Sequence, residues 1–226
     1  MNREVTVALI GNPNAGKTTV FNSLTGAHQH VGNWPGKTVE RKEGRCVHGG
    51  FALRVVDLPV VYSLTAYSPD EVVARDFIVE EKPDVVVDVV DASNLERNMY
   101  LVVQLLEMGS PLILALNMMD MVEARGHHID VVSLSRLLGV RVVPMVASHS
   151  EGMHALLDEI VKGATERVQL NGFTLTYGRE VDEEIARLEE MVSRTELARK
   201  YPSRWLAIKL LEQDEEVLKK FQAAPV

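Results

Sequence analysis

The chain has little of what marks secreted, membrane-spanning or nucleic-acid-binding proteins. Its single cysteine, Cys46, excludes an internal disulfide framework and a zinc site built from several cysteines. No apolar run approaches the roughly 20 residues of a membrane helix, and the opening residues enter a strand pattern without a signal peptide. The 24 Lys and Arg are outnumbered by 32 Asp and Glu, so we expect no nucleic-acid partner. These absences predict a soluble globular chain, which could still be the soluble part of a longer protein.

Short apolar runs alternate with helical patterns along most of the chain. The runs "DVVVDVVDA" (84–92) and "PLILALN" (111–117) are dominated by apolar residues without alternation, as in the central strands of a parallel sheet. One helical pattern opens with Ser68 three residues before Glu71, which predicts a capping box. The alternation predicts an α/β protein in which helices flank a mostly parallel central sheet.

The pattern changes after about residue 163. Two helical stretches follow, 179–194 and 203–221, and the second places Trp205, Ile208 and Leu211 on one apolar face, with Leu218 as a further candidate. We therefore predict two domains, an α/β domain over residues 1–165 and a small C-terminal helical domain over residues 166–226.

The stretch "GNPNAGKT" matches the phosphate-binding pattern G-x-x-x-x-G-K-[ST] and lies between a predicted strand and a predicted helix. Its backbone amides and the helix N-terminus can cradle phosphates. Lys17 is predicted to reach the β- and γ-phosphates, and the Thr18 hydroxyl to bind Mg²⁺. A chance match in a glycine-containing turn is disfavoured by the flanking elements. The predicted nucleotide-binding residues here are Gly11, Asn12, Pro13, Asn14, Ala15, Gly16, Lys17, Thr18 and Thr19.

The stretch "ALNMMD" offers Asn-x-x-Asp at the tip of an apolar strand. The Asp120 carboxylate can accept hydrogen bonds from the N1–H and exocyclic amine of guanine, whereas adenine lacks that donor pair. Asn117 is predicted to brace the base against the phosphate loop, and Met118 to cover the base. In "VASHSEG", the Ala147 backbone N–H is predicted to meet the guanine oxygen, with Ser148 beside it. Simple helix capping is the alternative for Asn117 and Asp120.

Several stretches together resemble the cytoplasmic G domain of the ferrous iron transport protein B family. They are "GNPNAGKTTVFNSLTG", "VGNWPGKTVERKEG", "VDLPVVYSLTAYSPDE", "VVDASNLERNMYL" and "ALNMMD", and the tail around "SRWLAIKLLE" resembles the helical domain that follows in that family. The resemblance implies a P-loop GTPase fold that binds GTP or GDP with Mg²⁺ and hydrolyses GTP slowly. It also implies a position at the cytoplasmic face of the membrane, and a membrane transport domain of the same full-length protein as partner. A homo-oligomer is left open.

The resemblance also assigns roles to individual residues. Thr38, after Gly36 in the nucleotide-binding segment "VGNWPGKTVE", matches the switch threonine that binds Mg²⁺, and Asp57 matches the aspartate that contacts Mg²⁺ through water. Some members hold K⁺ partly through a P-loop asparagine, which corresponds to Asn14. The implied catalytic set is Asn14, Lys17, Thr38 and Asp57. Trp34, on the same segment, is expected to pack locally against a helix, with a partner contact as the alternative.

One position departs from the expected switch pattern. Asp57 should be followed by glycine three residues later, whose N–H donates to the γ-phosphate and whose peptide rotates between GTP and GDP states, but the chain has Val60. A β-branched side chain opposes such backbone conformations, at a cost of about 1–3 kcal/mol. We predict that nucleotide binding survives, while GTP-driven ordering of residues 57–70 and hydrolysis weaken. The alternative is that the loop after Asp57 follows another backbone path, in which Val60 is tolerated. Many GTPases orient the attacking water with a glutamine at the next position, and the side chain of Val61 cannot do so.

Two other functions remain open. Val60 favours a non-hydrolysing guanine-nucleotide sensor, and the P-loop is shared with ribosome-assembly GTPases, which the acidic composition and "GNWPGKTVE" disfavour. His28, His30, His127 and His128 are interpreted as solvated loop histidines, because no third metal ligand is evident beside them.

Overall fold

The computed structural model describes residues 3–26, 28–35, 37–65, 67–166 and 175–223. The strands are β1 Glu4–Gly11, β2 Gln29–Asn33, β3 Glu40–His48, β4 Phe51–Asp57, β5 Val85–Asp91, β6 Leu112–Asn117 and β7 Arg141–Pro144. The α-helices are α1 Lys17–Thr25, α2 Pro69–Glu81, α3 Leu95–Glu107, α4 Met119–Ala124, α5 Val131–Leu138, α6 Met153–Glu166, α7 Arg179–Val192, α8 Ser203–Leu211 and α9 Glu215–Ala223. Among these helices, none is both long enough and apolar enough to cross a membrane.

The strands form one sheet in the order β2-β3-β4-β1-β5-β6-β7. The five strands from β4 to β7 in this order are parallel, and β3 and β2 add to one edge in antiparallel fashion. The predicted mostly parallel sheet with flanking helices is thereby confirmed. Because the carboxyl ends of parallel strands share one edge of the sheet, the segments that follow β1, β4 and β6 meet there.

Apolar side chains cover both faces of the sheet. On one face the strands pack under α2 and α3, through residues such as Phe77 and Leu105, and on the other under α1 and α6, through Phe21 and Leu156. β1 serves both faces, since Ala8 and Ile10 belong to one cluster while Val7 and Leu9 belong to the other. Strands buried on both faces account for the continuous apolar runs in the sequence.

The C-terminal helices pack on the α2 and α3 face. Trp205 of α8 is fully buried in the same apolar cluster as Phe77 and Leu105. Its ring stacks on that of Tyr201, with a centroid separation of 5.3 Å. The described part of the chain therefore has a helical segment that shares a core with the α/β part, while the boundary at residues 165 and 166 stays a prediction.

The stretch 203–221 is two helices where the sequence suggested one. Gln213 adopts a left-handed φ of 56°, and the Asp214 carboxylate accepts a hydrogen bond of 3.0 Å from the Val217 N–H, which caps α9. The predicted apolar face is confirmed for Trp205 and Ile208. It is wrong for Leu211, the last residue of α8, and for Leu218 of α9, which are 43% and 36% exposed.

Three elements, β2, α4 and α6, were not predicted. β2 is exposed at every position, so it lacks the alternation that marks a strand with one buried face, and only its pairing with β3 defines it. α6 carried a readable signal, since Leu156, Ile160 and Ala164 recur at helical spacing and are buried. The predicted capping box is confirmed, with Ser68 and Glu71 each accepting from the other's backbone N–H at 3.2 Å.

Candidate nucleotide-binding site

The glycine-bearing loop joins β1 to α1 and forms the wall of a cavity. Gly16 has a left-handed φ of 91° and Asn14 one of 66°. A Cβ atom on Gly16 would lie 2.3 Å from Asn117 Nδ2, so only glycine fits at that point. The cavity has a volume of about 410 Å³, and its lining residues are Asn12, Pro13, Asn14, Gly16, Lys17, Thr18 and Val60.

Lys17 lies at the first position of α1 and is only 5% exposed. Its Nζ forms an ion pair with Asp57 Oδ1 at the end of β4 and donates a 2.8 Å hydrogen bond to the Leu58 carbonyl. Burial raises the pKa of Asp57 above the usual carboxyl range, and the Lys17 charge opposes that rise. A phosphate bound by Lys17 would therefore compete with Asp57 and Leu58 for the ammonium group.

Asn12 is a buried polar residue of the cavity wall. It is 4% exposed, and neither its Nδ2 nor its Oδ1 has a hydrogen-bond partner within the ranges that the structure covers. A buried amide without partners costs about 1–3 kcal/mol, and a polar ligand in the cavity can satisfy it. Together with the exposed hydroxyl side chain of Thr18 in the same wall, this donor set fits phosphate oxygens and a hard cation.

Asn117 ties three segments together at the carboxyl edge of the sheet. Its Nδ2 donates to the Ala15 carbonyl at 2.9 Å, and its Oδ1 accepts from the Ala147 N–H at 2.9 Å. Asn117 therefore links the phosphate loop to the loop at Ala147, while its expected contact with the base stays a prediction. The same bond bears on the expectation for Ala147, because the N–H expected to meet the guanine oxygen is donated to Asn117 in this structure. The next amide along the chain is that of Ser148.

Asp120 follows Asn117 at the start of α4. Met118 takes a left-handed φ of 63°, which turns the chain from β6 into the helix, and the Met119 N–H donates to the Met145 carbonyl at 3.2 Å. This turn leaves Asp120 exposed in the first helical turn. Asp120 thus follows Asn117, the residue that links the phosphate loop to the loop at Ala147.

Thr38 is exposed and is not among the residues that line the cavity. The segment before it is held elsewhere, because the buried Trp34 ring lies edge-on to Phe77 of α2 at 5.4 Å, with the Arg41 guanidinium 4.6 Å from its centroid. The local packing expected of Trp34 is confirmed. Thr18 lines the cavity and Thr38 does not, and Gly36 lies outside the described residues.

Val60 lines the cavity with its side chain 44% exposed. Its φ is not in the left-handed region, so its backbone is unstrained in this state. The chain continues alongside β1 on both sides of Val60, where the Leu58 N–H donates to Leu9 at 2.9 Å and the Val61 N–H to Gly11 at 3.4 Å. Val61 and Leu64 are buried and fix this route.

α2 connects the segment that contains Trp34, Pro35, Lys37 and Thr38 (the Trp34 segment) to the C-terminal helices. Asp76 lies 3.9 Å from Lys37 Nζ on one side and 3.6 Å from Lys220 Nζ on the other. The fully buried Arg75 donates from Nη1 to Asp214 Oδ2 at 3.0 Å. Sequence reasoning missed these contacts, although a charged residue inside the apolar face of α2 was a visible signal.

Gln104 is a second residue that the sequence did not single out. Its Oε1 accepts from the Leu64 N–H at 2.6 Å, which fixes the loop after Asp57 to α3. The available signal was a polar residue within the apolar face of "NLERNMYLVVQLLEMG".

Comparisons with known families match both parts of the chain. The family model described as "Ferrous iron transport protein B" matches residues 5–160. A second model, described as "FeoB cytosolic helical domain", matches residues 177–226.

Curated relatives and solved structures agree with these models. The chain is 45% identical over 217 residues to the Fe(2+) transporter FeoB of Salmonella typhimurium, which covers 94% of this chain and 27% of that protein. It is 44% identical over 216 residues to a Fe(2+) transport protein A/Fe(2+) transporter FeoB fusion protein of Porphyromonas gingivalis, covering 94% of this chain and 26% of that protein. The chain thus spans about a quarter of the length of these relatives.

The fold matches crystal structures of the cytosolic domain of the T. maritima FeoB iron transporter. Its GMPPNP form superposes with a TM-score of 0.91 at 38% identity, covering 98% of this chain and 87% of that one. A GDP form gives a TM-score of 0.92 at 38% identity, with 96% and 85% covered.

Proposed function

The chain belongs to the ferrous iron transport protein B family, and from that premise we propose that it binds GTP and GDP with Mg²⁺ and hydrolyses GTP slowly. The observation that carries the proposal is the Asn117 brace, which joins the phosphate loop at Ala15 to the loop at Ala147 at one edge of the sheet. Related domains crystallised in GDP and GMPPNP forms support the choice of ligand.

The phosphates would lie in the cavity formed by the loop from Gly11 to Thr18. Lys17 would exchange its bonds to Asp57 and Leu58 for phosphate oxygens, and the buried Asn12 amide would gain a partner. Asp57, released from Lys17, would then face the cation through water. Thr18 and Thr38 would hold Mg²⁺ directly, and the ion would neutralise charge on the β- and γ-phosphates when bound.

Guanine would be selected by Asp120, which accepts from the N1–H and the exocyclic amine. Asn117 sets the position of the turn that carries Asp120, and Met118 covers the base. Because the Ala147 N–H is donated to Asn117, the Ser148 N–H is the donor that we assign to the guanine oxygen. Adenine would leave the Asp120 carboxylate without its two donors, which is a costly mismatch.

Val60 would slow hydrolysis without preventing binding. The valine backbone is unstrained in this state, but the GTP state needs an N–H turned toward the γ-phosphate, which a β-branched residue resists. Since Val61 is buried and apolar, water positioning would come from backbone groups or from K⁺ held partly by Asn14. If turnover is absent with both K⁺ and Na⁺, the alternative applies, in which the domain is a non-hydrolysing guanine-nucleotide sensor.

We further propose that the domain regulates ferrous iron transport from the cytoplasmic face of the membrane. Its relatives are Fe(2+) transporters about four times its length, so its partner would be the membrane transport domain of the full-length protein. α2 supports this role, because Asp76 contacts both Lys37 of the Trp34 segment and Lys220 of α9. Ordering of the Trp34 segment by GTP would thereby reach the C-terminal helices.

A change of base preference tests the proposed site. In Asp120→Asn the side-chain oxygen can accept from the N1–H, and the NH₂ group can donate to the second carbonyl of xanthine but meets another donor at the guanine amine. We expect GDP affinity to fall by about 100-fold or more and affinity for xanthosine diphosphate to rise, both measured by calorimetry. The matched control is Glu123→Gln, at a second exposed acidic residue of α4, which should bind GDP as the unmodified chain does. An Asp120→Asn variant that binds GDP normally would overturn the assignment.

A further inference from the structure

Two histidines and an aspartate form a cluster that the proposed nucleotide site does not use. His48 ends β3, and His154 and Asp158 lie four residues apart on α6. One ligand atom from each of the three residues lies within 4.8 Å of the other two. We propose that His48, His154 and Asp158 bind one divalent first-row transition-metal ion.

The geometry is close to what such an ion needs. His48 Nε2 lies 2.7 Å from Asp158 Oδ1, and His154 Nδ1 lies 3.2 Å from Asp158 Oδ2. Ligands at about 2.0–2.2 Å from a tetrahedral ion are separated by roughly 3.4 Å. Inserting an ion therefore requires side-chain shifts of about 1 Å, which rotamer adjustment of the 83% exposed His154 can supply.

The cluster differs from an ordinary histidine–carboxylate pair. Such a pair uses one imidazole, whereas here a second imidazole approaches the other oxygen of the same carboxylate. The two rings also meet edge to face, with centroids 5.0 Å apart and planes at 81°. Across the residues that the structure describes, this is the sole cluster of three metal-ligating side chains.

The ligand types restrict the choice of ion. Two imidazoles and one carboxylate suit Zn²⁺, Fe²⁺, Co²⁺ or Ni²⁺, whereas Mg²⁺ and Ca²⁺ prefer all-oxygen sites. Three protein ligands leave at least one coordination position for water. The partial exposure of Asp158 and His154 makes the ion exchangeable. A site of this class is separate from the proposed Mg²⁺ site and does not depend on nucleotide binding.

The three ligands lie on β3 and α6, two elements that are distant in the sequence and adjacent in the folded chain. His48 precedes the Gly49–Gly50 turn between β3 and β4, where a Cβ atom on Gly49 would contact Val161 of α6 at 3.8 Å. An ion would therefore link the β3–β4 turn to α6. β3 is also the strand that pairs with β2, next to the Trp34 segment.

Metal titration of the full 226-residue chain tests the proposal. Calorimetry with Zn²⁺, and absorption spectroscopy with Co²⁺, should give one ion per chain with a Kd below about 100 μM. The Co²⁺ complex should show the visible bands of a site with nitrogen and oxygen ligands. Asp158→Asn and His154→Ala should each weaken binding by about tenfold or more. His154 is exposed, so its variant should fold, and circular dichroism together with GDP binding checks this.

The matched control is His127→Ala/His128→Ala, which removes two exposed histidines outside the cluster and should leave the metal affinity unchanged. An unmodified chain that takes up neither ion below that concentration would overturn the proposal. A Zn²⁺ affinity equal in His154→Ala, Asp158→Asn and the unmodified chain would do the same.

Discussion

The ion pair between Arg75 and Asp214 fixes the C-terminal helices to α2, and its removal should destabilise the whole chain. Arg75 is fully buried, and the Asp214 side chain is 3% exposed. The Arg75 Nη1 bond to Asp214 is 3.0 Å long, and Nε and Nη2 have no hydrogen-bond partner in the described ranges. Asp214→Ala would remove the hydrogen-bonded counter-ion of the buried guanidinium and leave only Asp76, whose Oδ1 lies 4.0 Å from Arg75 Nε, at a cost of about 3–5 kcal/mol.

The magnitude translates into a large thermal shift. For a domain of this size, 1 kcal/mol corresponds to about 2–4 °C, so the unfolding midpoint should fall by roughly 6–20 °C. Part of the loss, about 1 kcal/mol, comes from the α9 cap that Asp214 provides to the Val217 N–H. Asp214→Asn can keep that cap and should therefore lose less than Asp214→Ala.

Thermal and urea denaturation followed by circular dichroism would measure these changes. The double variant Arg75→Met/Asp214→Ala should lose clearly less than the sum of the single variants, because neither charge then stays buried alone. Glu190→Ala, which breaks the exposed pair with Arg194, is the control and should cost at most about 1 kcal/mol. If Asp214→Ala melts within about 2 °C of the unmodified chain, the pair does not anchor the helices.

Two further predictions concern single residues. Val60→Gly should speed single-turnover GTP hydrolysis by roughly 5–150-fold, because it removes about 1–3 kcal/mol of backbone strain from the GTP state. An unchanged rate would show that the loop tolerates valine in that state. Asp88, in β5, is 1% exposed with neither carboxylate oxygen hydrogen-bonded to any described residue, and its burial raises its pKa well above the usual range. The native state therefore holds a proton that the unfolded state releases above about pH 4, and stability falls as the pH rises through that window. Asp88→Asn should remove this fall, so its gain in melting temperature should be larger at about pH 8 than at about pH 5, and a gain independent of pH would count against the reasoning.

The glycine-bearing loop after β1 and the turn that follows β6 were predictable because local sequence defines them. Position 16 requires glycine because its φ is positive and a Cβ atom there would clash with Asn117. Lys17 follows at the start of a helix. Asn117 could be paired with the phosphate loop because both follow parallel strands, whose carboxyl ends meet. Its bond to the Ala147 N–H was not predictable, since the competition between Asn117 and a base for one amide depends on three-dimensional contacts.

Elements without a local pattern could not be read from the sequence. β2 has no buried face and is defined by its partner β3. Arg75 and Asp214 are 139 residues apart in the chain, and nothing in the local sequence around either residue indicates that they pair. The same holds for His48, which meets Asp158 across 110 residues. The docking of Trp34 on Phe77 likewise depends on where α2 crosses the sheet.

The most direct test of the proposed function is calorimetric titration of the chain with GDP and with ADP, each in the presence and absence of Mg²⁺. The proposed site predicts one nucleotide per chain, with GDP bound at least about 100-fold more tightly than ADP and more tightly with Mg²⁺ than without it. Equal affinities for the two nucleotides, or no binding of either, would contradict a site in which Lys17 holds the phosphates and Asp120 selects guanine.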